Sequence, residues 1–265
     1  MKKHLVAIIC ITIVVIALIL PYVDGLTTSF VHVDKTQVSR DRYLVVAGHG
    51  AKYLNVYQTP GKQSPEWADG LKIYEGYSCK LLAYDLVYKL LKADFDAVLL
   101  NPDSFDMTLV ERANRINQLF KLDSRVVVIS LHHNAQAVDC KKADYKDNYG
   151  QCGYTSTATG GATGIEIYTS PGQTRSDTYA TYVFNAMKES MPQFTYRTDL
   201  SDGDPDKEAN FTILSATHSP AILIEWLFMT TYYPDCVAIA DDSIRDIYTT
   251  SIVNGLKKHQ NEPKN

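Results

Sequence analysis

Two apolar runs in this chain end on histidine, and its chemistry is to be sought there. The run V-V-V-I at 126–129 passes through Ser130 and Leu131 into His132, His133 and Asn134, and a second run at 43–47 passes into Gly48-His49-Gly50. An unbroken β-branched run suits a strand buried on both faces of a parallel sheet. In open α/β sheets, ligands bind just beyond the carboxyl ends of the strands. Two strands finishing this way point to imidazoles converging on one metal ion. Successive side chains in a strand face opposite ways, so only one of His132 and His133 can share a site with His49.

Two glutamates complete the set. Glu75 stands just before a helical stretch, where a carboxylate also suits the helix dipole. Glu225 closes the apolar run at 221–224, where a charge is costly to bury without an exit or a positive partner. Two histidines and one glutamate leave a tetrahedral zinc with an open fourth position, as in catalytic sites; structural sites are closed by four protein ligands. Glu225 would then be the general base, beside the metal without ligating it. The helical H-E-x-x-H pair is absent, so spacing alone does not define the site. His218, in a turn before Ser219-Pro220, is placed at the rim of the cleft.

The elements that must position these groups alternate. Strands are expected at 43–47, 97–100, 126–131, 164–169 and 221–224, and helices at 77–91, 108–121, 173–190 and 241–258. In the first helix Ala83, Leu86, Val87, Leu90 and Leu91 repeat at helical spacing on one face. Strands separated by helices imply an α/β fold: a mostly parallel twisted sheet flanked by helices on both faces, in a single catalytic domain. The stretches 52–73 and 135–163 read as long loops, the second functional or mobile in kind.

A net charge of −4 over 265 residues lacks the basic excess of a nucleic-acid binder, so no nucleic-acid partner is expected. Lys2 and Lys3 precede an uncharged apolar segment at 5–20, with no small-residue cleavage pattern behind it. That favours an uncleaved signal-anchor over a cleaved signal peptide, with the N-terminus inside and the body exported to the cell envelope. The resulting plan is an N-terminal segment at 1–25 that contacts the membrane, a tether at 26–41 and a catalytic domain at 42–260. Of the five cysteines, Cys140 and Cys152 bracket a polar loop that a disulfide could close in an oxidising compartment. Cys79 and Cys236 read as small buried hydrophobes.

From about Tyr43 to Leu256 the chain resembles the zinc-dependent N-acetylmuramoyl-L-alanine amidases of the amidase-3 type. VVAGHG at 45–50 is similar to that family's opening strand with its first zinc histidine, and YEG at 74–76 to its metal glutamate. LVER at 109–112, with Asn117 behind it, resembles the helix before the central strand. SLHHNA at 130–135 is similar to S-I-H-A-N-A, and SPAILIE at 219–225 to the P-A-V-L-V-E segment that carries the catalytic glutamate. The resemblance implies one zinc ion held by His49, Glu75 and His132, with Glu225 catalytic. It puts His133 at an alanine position and leaves His133, Asn134, His218 and Arg112 as candidate substrate contacts. Asn101-Pro102 departs from the usual Thr-Arg, and Trp226 stands where a small residue is frequent.

The implied activity is hydrolysis of the amide between the lactyl group of N-acetylmuramic acid and L-alanine in peptidoglycan, in wall lysis or remodelling, phage-endolysin-like action included. The alternatives are an inactive wall-binding or regulatory module, against which the presence of Glu225 argues, and a zinc hydrolase of another peptide amide. Carboxypeptidases of the latter kind want H-x-x-E, which His49-Gly-Ala-Lys52 does not supply.

Overall fold

A computed structural model describes residues 40–262. The expectations for the apolar segment and most of the tether lie outside the described residues. Among the described residues no helix is long and apolar enough to cross a membrane.

The main sheet contains β1 (Arg42–Ala47), β2 (Asp96–Leu99), β3 (Val126–Asn134), β4 (Ile165–Thr169), β5 (Lys207–Glu208) and β6 (Ala221–Phe228). Its order is β2-β1-β3-β6-β4-β5. The strands from β2 to β6 in that order run parallel, β4 lies antiparallel to β6, and β5 runs parallel to β4. The mostly parallel sheet expected from the alternation is present, with two edge strands reversed.

Alternation along the strands sorts the core into two layers. Tyr43 and Val45, Val127 and Ile129, and Ile222 and Ile224 face one way. They pack under the helices α1 (Glu75–Lys92), α3 (Arg175–Ser190) and α4 (Asp242–Gln260), through Leu86, Val183 and Ile252 among others. Leu44 and Val46, Val126 and Val128, and Ala221 and Leu223 face the other way, with Ile116 of α2 (Leu109–Leu122) and with Ile213 and Leu214 of the short helix Thr212–Ser215. The oxygen of Thr108 caps α2 through Glu111 N at 3.2 Å, and Thr174 and Asp177 form a capping box on α3.

The loop expected at 52–73 contains a small hairpin, Lys52–Tyr53 with Val56–Tyr57. Leu54 and Asn55 both have positive φ at its turn, the geometry whose twist suits a tight hairpin. Trp67 in the same stretch is core, its indole N–H 3.1 Å from Cys236 Sγ. The segment 135–163 is more structured than its composition indicates. Tyr145–Lys146 pairs with Cys152–Ser156, which pairs in turn with Thr231–Tyr233 as a second sheet. A disulfide joins Cys140 to Cys152, their Cα atoms 5.5 Å apart.

Candidate metal centre

His49, Glu75 and His132 each present one ligand atom, and the three atoms lie within 4.8 Å of one another. Glu75 Oε1 is 3.1 Å from His49 Nε2 and 3.2 Å from His132 Nδ1. The imidazoles stand edge to face with centroids 5.1 Å apart. Two imidazole nitrogens and one carboxylate at this separation fit the three-ligand set of a catalytic zinc site. Burial raises the Glu75 carboxyl, but the two facing histidines outweigh it and hold the group well below the usual carboxylate range.

Close backbone approach brings the groups together. A Cβ on Gly48 would stand 2.6 Å from the His132 ring, so the imidazole lies directly over β1 where the strand ends. A Cβ on Gly76 would collide with the carbonyl oxygen of Gly50. Glycines therefore let the start of α1, carrying Glu75, press against the loop carrying His49. His49 itself has φ of 59°, a left-handed conformation uncommon for a residue with a side chain.

The end of β1 is held from two sides. Asn101 donates to Ala47 O at 3.0 Å and accepts from Ala47 N at 3.1 Å, and Arg112 donates to Ala47 O at 2.6 Å. Asn101, the departure from the expected Thr-Arg, thus steadies the strand two residues before His49. Arg112 is buried at the edge of the cleft, where its guanidinium also donates to Met107 O and pairs with Asp106 at 3.4 Å.

Glu225 pairs in register with His132 on β3 and with Glu166 on β4. By strand alternation all three face the α2 side of the sheet, in a row across its carboxyl end. Glu225 Oε2 is buried and has no hydrogen-bond partner. Burial pushes the Glu225 carboxyl up to about 7. Glu166 beside it is paired, to Arg197 at 2.7 Å and Lys207 at 2.8 Å. The carboxylate free to handle a proton is therefore Glu225.

A cleft of about 420 Å³ opens over this row, lined among others by His49, His132, Glu225, Asn134, Lys62 and Phe211. Asn134 reaches it with both ends of its amide engaged, donating to Glu166 Oε2 at 2.6 Å and accepting from Ala135 N at 2.8 Å. Two of the other candidate contacts are corrected. The His133 ring lies on the opposite face of β3, buried between Trp226 O and Ser78 Oγ, each 2.8 Å away. His218 is exposed and precedes the amino end of β6, where its N–H donates to Asn117. Glu225 lies several residues further along the same strand, so His218 is at the wrong end of the sheet for the cleft. Lys62, Phe211 and Glu166 were not anticipated. Glu166 alone carried a sequence signal, an acid alternating with apolar residues in I-E-I-Y-T.

Residues 44–258 match the model of the amidase-3 family, N-acetylmuramoyl-L-alanine amidase. No curated protein sequence matches the chain. Among solved structures, an N-acetylmuramoyl-L-alanine amidase from Clostridium difficile 630 aligns with TM-score 0.60 and 23% identity over 85% of this chain and 99% of its own. The amidase AmiC2 of Nostoc punctiforme aligns with TM-score 0.59 and 17% identity over 84% and 99%. The catalytic domain of the CD27L endolysin targeting Clostridia difficile aligns with TM-score 0.53 and 16% identity over 83% and 98%. At these identities the structures establish a shared fold.

Proposed function

The chain belongs to the amidase-3 family of N-acetylmuramoyl-L-alanine amidases, and we propose that its activity is carried by Glu225 acting beside a zinc ion held by His49, Glu75 and His132. It is a peptidoglycan amidase, cutting the amide between the lactyl group of N-acetylmuramic acid and L-alanine. Bound there, zinc supplies Lewis acidity to the carbonyl oxygen and makes water acidic near neutral pH.

Glu225 supplies the proton transfers. Its unpartnered Oε2 accepts a proton from the attacking water and passes it to the departing alanine nitrogen. Asn101 and Arg112 hold the strand end that presents His49. The observation that carries this reading is a buried, unpaired carboxylate oxygen in register with a histidine of the three-ligand cluster. The apolar segment at 5–20 behind two lysines supports action at the cell envelope, with that segment contacting the membrane.

The test is release of stem peptide from purified peptidoglycan by the zinc-loaded protein and by Glu225→Gln. The variant is expected to bind zinc and release almost nothing; release at the wild-type rate would refute the role.

A further inference from the structure

Away from the cleft a second group of acids gathers. Asp177, in the first turn of α3, faces Asp204 and Asp206 from the turn before β5, with one oxygen of each within 4.8 Å of the others. Asp177 and Asp206 are buried, Asp206 only 3% exposed. Part of their hydrogen bonding is supplied: Thr169 Oγ1 donates to Asp206 Oδ2 at 2.6 Å, and Thr174 donates to Asp177 from both its backbone and its side chain.

Two features set this group apart from an ordinary acidic turn. Oδ1 of Asp206 and Oδ1 of Asp204 are both buried, and neither meets a donor unless the two carboxyls share a proton. Among the described residues no lysine, arginine or histidine forms an ion pair with any of the three carboxylates, whereas neighbouring Glu166 has two cationic partners. Buried charge without a counter-charge is expensive, and an unsatisfied buried oxygen adds to the cost. Burial and the carboxyl of Asp204 push Asp206 up to about 8, which expresses the same crowding.

We propose that Asp177, Asp204 and Asp206 form a second cation site, distinct from the His49–Glu75–His132 centre, that takes calcium. The donors are all oxygen, which favours a hard cation over zinc. Calcium binds oxygens at about 2.3–2.6 Å, so two oxygens on one ion lie no more than about 5 Å apart, as the three do here. It also tolerates irregular ligand sets drawn from separate segments, where magnesium demands a near-ideal octahedron. Occupancy ties the 199–206 turn to the start of α3. From that turn the chain runs directly into Lys207, which bonds Glu166, and then into Asn210, Phe211 and Thr212 of the cleft wall. The ion thereby steadies one wall of the cleft without touching its chemistry.

The test is calorimetric titration of calcium into the full-length protein, freed of calcium and supplied with one equivalent of zinc, with the unfolding midpoint followed in parallel. One equivalent should bind with a dissociation constant of about 0.1–1 mM, the range of extracellular calcium modules. The midpoint should rise by a few degrees, with magnesium weaker. Asp206→Asn and Asp204→Asn should each weaken binding at least tenfold, while Glu75→Gln, altered in the other centre, should bind calcium as wild type does. No saturable response of the wild-type protein by about 10 mM calcium, unchanged binding in the aspartate variants, or loss of calcium in Glu75→Gln alone would each overturn the site. A wild type indifferent to calcium alongside a more stable Asp206→Asn would show instead that the carboxyls share a proton.

Discussion

Nδ1 of His133 lies 2.8 Å from the carbonyl oxygen of Trp226, so the second of two adjacent histidines ties β3 to β6 from the face opposite the cleft. Burial pushes this imidazole down to about 4, and it is neutral at physiological pH. His132, one residue earlier, faces Glu75.

The two neighbours should therefore fail differently. His132→Ala is expected to lose zinc while remaining folded. His133→Ala should keep zinc but lose about 1–3 kcal/mol of stability, because Ser78 Oγ and Trp226 O are left without their partner. Metal analysis and thermal unfolding of the two purified variants check this, and equal zinc content would contradict the assignment.

Glu225→Gln keeps shape and removes the proton acceptor. Its turnover on peptidoglycan should fall by about 10²–10⁴-fold, the usual weight of general acid–base catalysis, with zinc content unchanged. The comparison is made by turnover at matched zinc loading.

The glycines beside the ligands allow a sharper geometric test. Gly76→Ala places a Cβ against the Gly50 carbonyl oxygen, so the two backbone segments must move apart. Separation of Glu75 from His49 should weaken zinc at least tenfold, and overpacking should cost about 1–3 kcal/mol. Gly61→Ala, where an added Cβ meets nothing within 4 Å, is the control and should behave as wild type in both assays.

Glu166 gives the pH dependence. Burial raises its carboxyl, but Lys207, Arg197 and Tyr168 outweigh that and hold it below its ordinary value of 4.5. A carboxyl lowered on folding adds stability above its unfolded value, and that stability is lost as pH falls through the folded one. Glu166→Gln should thus cost about 1–3 kcal/mol at pH 7, and the gap to wild type should close in acid. Denaturant unfolding at pH 7 and pH 3 measures it; a gap that widens in acid would contradict the pairing.

The sheet was legible because its buried strands are long β-branched runs, and period-two alternation already required His132 and His133 to part company. Alternation does not say which face holds the cleft; that depends on neighbours such as Ser78 and Trp226, which come from other elements. The same limit explains His218. Closeness in sequence to Glu225 hid the length of β6 between them. The hold of Arg112 on Ala47 O had no sequence signal, because a buried guanidinium serving a carbonyl looks in sequence like one serving a substrate. The strands of the second sheet are two to five residues long within polar, tyrosine-rich sequence, too short to show a period.

The most direct test of a single zinc held by His49, Glu75 and His132 is mass spectrometry of the products released from purified peptidoglycan, with zinc removed and then restored. Stem peptides bearing a free L-alanine amine should appear with zinc-loaded protein, vanish on chelation and return with one equivalent of zinc. Cleavage at any other bond, or the same release from zinc-free protein, would contradict the account.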